Sequence, residues 1–239
     1  MKIRHPWCAC LALAVWSIVF AAKAQATALS ALFQGGTITA DDKLFSKFAL
    51  ISSQPVNGGF ADPTQIDVTP LIDDPLDPGI KFTAQFGALG TPSGHTGPSS
   101  IQFTFSFDVS TTNQLPLIKD NTLRITDWAF DSGPLASIQV SEQVFDDATP
   151  PLLLGTKLAT VTPLTQNLLD TLQFSPRPFV HVIKQINIVG PGNNDMARLL
   201  MFEQRFSQVP EPHSLTLLAA ASLSCCLGRG IRRRSVPCA

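Results

Sequence analysis

The sequence predicts an all-β fold: an antiparallel β-sandwich, jelly-roll-like, flanked by an N-terminal signal peptide and a C-terminal single-span helix. Three observations carry this. Residues Ile101 to Val109 alternate apolar and polar side chains over nine positions, the period of a strand with one buried and one wet face. Clusters of Gly, Pro, Asn and Asp interrupt the chain at short intervals, as turns between strands require. Long uninterrupted apolar runs occur only at the two ends.

At the N-terminus, Lys2 and Arg4 precede an apolar stretch from Trp7 to Ala22, with Ser17 its ordinary polar side chain. Small-residue patterns follow: Ala22-Lys23-Ala24, Ala24-Gln25-Ala26 and Ala26-Thr27-Ala28. A charged start, a short apolar core and A-x-A sites make residues 1–26 a secretory signal peptide, and the alternative is an uncleaved anchor.

Residues 27–208 form one exported domain, long enough for a core of its own. Besides the Ile101–Val109 segment, strands are predicted at Gly36–Ala40, Leu44–Ser52, Thr64–Thr69, Ile80–Phe86, Asn121–Phe130, Ser137–Phe145, Leu152–Val161, Leu168–Phe174, Val180–Val189 and Leu199–Gln208. Separators such as Asn57-Gly58-Gly59, Asp77-Pro78-Gly79, Asp131-Ser132-Gly133-Pro134 and Gly190-Pro191-Gly192-Asn193-Asn194 stop both strands and helices. Asp195–Phe206 reads two ways. Met196, Leu199, Leu200 and Met201 make a helical stripe, while Leu200, Phe202, Gln204 and Phe206 alternate. Leu89–Ser100, rich in Gly and Pro, is the longest predicted loop.

The C-terminus reads Val209-Pro210-Glu211-Pro212, an apolar run, then Arg229 and Arg232-Arg233-Arg234. The sixteen residues from His213 to Gly228 would span about 24 Å as a helix, short of a ~30 Å hydrocarbon core. Pro210 and Pro212 make the entry extended. Basic residues before the first run and after the second place both ends in the cytoplasm and the body outside the inner membrane.

This order of motif, span and arginines resembles the PEP-CTERM sorting signal of Gram-negative bacteria, over residues 209–234. The resemblance implies export through the translocon, cleavage by signal peptidase, and processing near Pro-Glu-Pro by an exosortase-like membrane enzyme. Species with such proteins usually make extracellular polysaccharide. His213, the Cys225-Cys226 pair and the tail 235–239 depart from the usual pattern. The body segments Asp42-Lys43-Leu44-Phe45-Ser46-Lys47-Phe48 and Phe206-Ser207-Gln208 also resemble a common group of these proteins. That likeness implies a secreted β-rich domain and brings no catalytic residues with it.

Composition narrows function. Seven of the 17 basic residues lie in the ends and 17 of the 18 acids lie in the body, whose formal charge is therefore −7. Such a surface argues against nucleic acid. Cys8, Cys10, Cys225, Cys226 and Cys238 all fall outside the body, which excludes a disulfide, a thiol nucleophile or a thiolate metal site there. The chain has no Tyr, and the body has one Trp, Trp128. This counts against an aromatic sugar-binding platform.

Candidate site residues are few. Ser93-Gly94-His95 does not form a G-x-S-x-G elbow, and His181 reads as an edge or packed strand residue. Glu142 reads as a solvent-facing strand residue, although paired carboxylates could serve glycoside hydrolysis. Asp73, Asp74 and Asp77, close to Asp62 and Asp67, offer oxygen ligands to calcium, but Pro75 and Pro78 break the EF-hand pattern. Asp146-Asp147 reads as an acidic turn. No catalytic residue and no cofactor other than calcium is predicted. The sequence thus points to a non-enzymatic protein of the cell surface or extracellular matrix. The alternatives are a module binding polysaccharide or a surface partner, with or without calcium, and then a secreted hydrolase.

Overall fold

The computed structural model describes residues 25–94, 96–112, 117–131, 135–192 and 195–209. Residues 1–24 of the predicted signal peptide, His95, Pro210, Glu211, Pro212, the predicted span and the arginines Arg229 and Arg232–Arg234 lie outside the described residues. Among those described, no helix is long and apolar enough to cross a membrane.

Two antiparallel sheets pack face to face. The seven-stranded sheet runs in the order β12 (Gln166–Asn167), β11 (Leu153–Val161), β10 (Ser137–Phe145), β14 (Phe179–Gly190), β8 (Ser99–Thr111), β3 (Lys43–Val56), β2 (Ile38–Ala40). The eight-stranded sheet holds β1 (Thr27–Ala28), β5 (Ile66–Leu71), β6 (Gly79–Ala84), β7 (Leu89–Gly90), β4 (Phe60–Ala61), β15 (Met196–Arg205), β9 (Ile118–Asp131) and β13 (Leu169–Arg177). In it β15 is central, with β6 and β7 on one side and β9 on the other.

The core follows from the period-two pattern. Ile101, Phe103, Phe105, Phe107 and Val109 of β8 are all buried, as are Val180, Val182, Ile186 and Ile188 of the adjacent β14. Aromatic contacts join the sheets: Phe82 of β6 meets Phe105 at 5.6 Å, and Phe206 meets Phe45 edge-on at 5.7 Å. Offset and edge geometries of this kind are the favoured aromatic packings. A short helix, α1 (Leu29–Phe33), was not apparent in the sequence; it buries Leu29 and Leu32 against the same core.

Residues 196–205 form a strand, and the structure explains their helical look. Register shifts between Leu199 and Met201 and between Met201 and Phe202 break the alternation. Leu199 and Phe202, three apart, therefore both face inward, and a bulge of this kind imitates helical spacing.

Three expectations need correction. Glu142 is not on the wet face: its parity with Ile138, Val140 and Val144 turns it inward, and it is 1% exposed. Of the two readings of His181, edge or packed, the edge one fails, because β14 lies between β10 and β8 and the ring sits beside Phe145. The long loop is shorter than predicted, because Leu89–Gly90 pairs with Phe60–Ala61 and β8 already begins at Ser99.

Candidate functional site: the polar face of the seven-stranded sheet

The outward faces of the two sheets differ in chemistry. On the eight-stranded sheet, Glu203 stands between Lys81 and Arg124 in register, a ladder of alternating charge. On the seven-stranded sheet, the outward residues of β10, β14 and β8 form register rows of amides and hydroxyls. Gln139, Asn187 and Gln102 make one row, and Ser141, Gln185 and Thr104 the next. Gln143, Ile183 and Ser106 follow, and Phe145, His181 and Asp108 close the array. Its two ionisable groups, His181 and Asp108, sit together at one end.

The amides are pre-oriented. Gln185 Nε2 donates to Asn187 Oδ1 at 3.2 Å, and Asn187 Nδ2 donates to Gln139 Oε1 at 3.3 Å. A groove of about 390 Å³ runs over β11, β10 and β14, lined by Gln139, Ser141, Gln143, Thr156, Gln185 and Asn187, and also by Glu142 and Lys157. On β8 the members of these rows are covered: Thr104, Ser106 and Asp108 are all buried, and Thr104 Oγ1 has no hydrogen-bond partner among the described residues.

At the charged end, His181 Nδ1 lies 2.6 Å from Asp108 Oδ1 and Lys47 Nζ lies 2.9 Å from Asp108 Oδ2. A cavity of about 440 Å³ opens there, lined also by Asp146, Asp147 and Phe179. An imidazole oriented by a carboxylate is two-thirds of a hydrolytic triad. No Ser or Thr hydroxyl among the described residues hydrogen-bonds to His181. Asp146 serves the turn, accepting from the backbone N–H groups of Ala148 at 3.0 Å and Leu152 at 2.8 Å.

The calcium candidates converge on an arginine. Asp73, Asp74 and Asp77 line a cavity of about 360 Å³ with Arg124, Glu203 and Arg205. Arg205 Nη2 donates to Asp73 Oδ2 at 3.0 Å, and Nη1 donates to the Asp77 carbonyl at 3.2 Å. Asp74 Oδ1 accepts from Leu76 N at 2.9 Å, as in an ordinary Asx turn. Burial raises the Asp77 carboxyl above its usual range. Among the described residues no group of three or more His, Cys, Asp or Glu is arranged to hold a metal ion.

A second polar assembly, missed in the sequence apart from Glu142, lies between the sheets. Asn121 of β9, Glu142 of β10, Lys157 of β11, Lys184 of β14 and Gln204 of β15 are all buried. Glu142 Oε2 takes Lys184 Nζ at 2.5 Å, and Glu142 Oε1 takes Lys157 Nζ at 3.0 Å. Burial pushes both lysines down, Lys157 to about 8. Burial alone would raise Glu142, but the two lysines hold it below its usual value.

No family model and no curated protein matches the chain. Among solved structures it is similar to TmCBM61 in complex with beta-1,4-galactotriose, at 10% identity and a TM-score of 0.26, over 64% of this chain and 86% of that one. A likeness of that size carries no argument about this chain's ligand, which has to be read from its own surface.

Proposed function

We propose that the protein is an exported, non-enzymatic module that binds a neutral polysaccharide through the outward face of β10 and β14. One observation carries the reading: the neighbouring strands β10 and β14 present amides and the Ser141 hydroxyl outward, three of the amides joined in a hydrogen-bonded row, with His181 at one end their one outward ionisable side chain. A carboxamide both donates and accepts, so a row of them matches neighbouring sugar hydroxyls. An uncharged face also avoids the cost of stripping water from ions, which a neutral ligand could not repay. With Trp128 the body's one Trp and no Tyr in the chain, selectivity would come from hydrogen bonds rather than stacking.

The address belongs to the same proposal. Signal peptide, Val209-Pro210-Glu211-Pro212, short span and arginine cluster support delivery beyond the inner membrane, an anchored intermediate, and release by an exosortase-like enzyme to the cell surface or matrix. Deleting Arg232–Arg234 should impair retention or processing without unfolding the body.

Isothermal titration of the exported chain with neutral and acidic polysaccharides tests the binding surface. Heat should be seen with a neutral glycan, and the Gln185→Ala/Asn187→Ala double variant should lose affinity about tenfold or more, equivalent to ~1.4 kcal/mol. The reading fails if no neutral glycan binds, or if the double variant binds as the wild type does.

A further inference from the structure

The buried assembly between the sheets is arranged for a reaction as well as for packing. Lys157 Nζ contacts Asn121 Oδ1, one bond from the carboxamide carbon. A single oxygen, Glu142 Oε1, touches both the amine and the amide nitrogen that would leave: Lys157 Nζ at 3.0 Å and Asn121 Nδ2 at 2.5 Å. Gln204 Nε2 donates to Asn121 Oδ1, where negative charge would develop during attack on the carbonyl. Lys184, held by Glu142 Oε2 and by Gln204 Oε1 at 2.6 Å, fixes both helpers. From these positions we propose that Lys157 and Asn121 join in an intramolecular isopeptide bond, with Glu142 carrying the proton.

The step balances without any added reagent. Lys157 reacts as the neutral amine, and its Nζ forms a bond to Asn121 Cγ. The carboxylate of Glu142 takes a proton from Nζ and returns it to Nδ2. The Cγ–Nδ2 bond breaks, ammonia leaves, and Glu142 is a carboxylate again. Burial favours the neutral amine: a lysine brought down to about 8 is already roughly one-tenth neutral at pH 7. Water is shut out, since Asn121 is 0%, Glu142 1% and Lys157 2% exposed. Held groups of this kind gain the large effective concentration of an intramolecular reaction.

The product would tie β9 in one sheet to β11 in the other, closing a loop between residues 36 positions apart. A covalent tie of this kind limits the unfolded chain as a disulfide does. It would supply an exported body whose cysteines all lie elsewhere with a cross-link indifferent to redox conditions. The inference does not rest on glycan binding.

Peptide mapping of the purified full chain decides it. After denaturation and trypsin, peptide 120–124 should be covalently joined to 125–184, because acylated Lys157 resists cleavage, and the pair should lack the mass of one ammonia. Glu142→Gln and Lys157→Arg should give linear peptides at full mass. Because either variant could fail to fold, the wild-type map is the deciding measurement. Free Lys157 in folded wild type, ammonia lost elsewhere in the chain, or a link between Lys184 and Gln204 would each overturn the assignment.

Discussion

Lys43 and Gln208 lie 165 positions apart, yet Lys43 Nζ donates to Gln208 Oε1 at 2.6 Å. The amine is fully buried, and Asp42 Oδ1, also at 2.6 Å, is its other partner. Phe45 and Phe206 stack edge-on beside them. The segments Asp42–Phe48 and Phe206–Gln208 thus touch each other. They close the domain just before Val209, whose N–H still bonds to the Leu117 carbonyl, so the folded part reaches the first residue of the Val209-Pro210-Glu211-Pro212 segment. Gln208→Ala would leave Lys43 one acceptor short in the core. It should cost about 1–3 kcal/mol, read as a lower denaturation midpoint at unchanged slope.

Phe105 sets the centre of the core. It is fully buried and meets Phe33, Phe82, Phe103 and Phe107. Phe105→Ala should cost about 3–5 kcal/mol through lost burial and the cavity left behind. Phe105→Asp should abolish folding, since it places an unpaired charge there. Circular dichroism melts of the two variants check this order, and a folded Phe105→Asp would contradict the packing.

The sandwich was legible because one rule wrote it. Alternation in β8 and β14 and Gly/Pro turns mark most strands, and the strand predicted at Ser137–Phe145 coincides with β10. The short pairs β1, β4, β7 and β12 were not, since two residues are too few to show a period. The buried assembly escaped for a different reason. Lys184 continues the inward parity of Val180, Val182, Ile186 and Ile188, and Glu142 that of Ile138, Val140 and Val144. Polarity suggested solvent where parity said core, and parity was the better guide. The polar face was hidden because it exists only across strands: Gln139, Asn187 and Gln102 become neighbours through register. The corrected environment of His181 came from the same source, pairing with Asp108 on β8.

Acid should weaken the fold partly through Asp146. Backbone N–H bonds from Leu152 and Ala148 hold its carboxyl below the usual carboxylate range, with Arg177 adding to the effect. A carboxyl depressed in the folded state stabilises fully above its unfolded value, near 4, and that contribution is lost as pH falls through the depressed value. Wild type should therefore melt above Asp146→Asn at pH 7, and the gap should close as pH drops below about 4. A gap that stays constant across a pH series of melting curves would remove Asp146 from the acid response.

Arg205 stands where a cation would have to sit among the acidic residues of the β5–β6 turn. Its guanidinium bonds Asp73 and the Asp77 carbonyl, and it holds the Asp73 carboxyl below its ordinary value. Calcium would have to displace a charge already delivered by the fold, and it prefers several free oxygens. Calcium added to wild type should therefore leave the melting temperature unchanged. In Arg205→Gln the carboxylates of Asp73 and Asp77 lose that cation, and a calcium-dependent rise should emerge, growing with the logarithm of calcium concentration once above Kd. A calcium-dependent rise in wild type would mean that the acidic turn opens away from Arg205, and would make glycan binding at the polar face worth measuring with and without the ion.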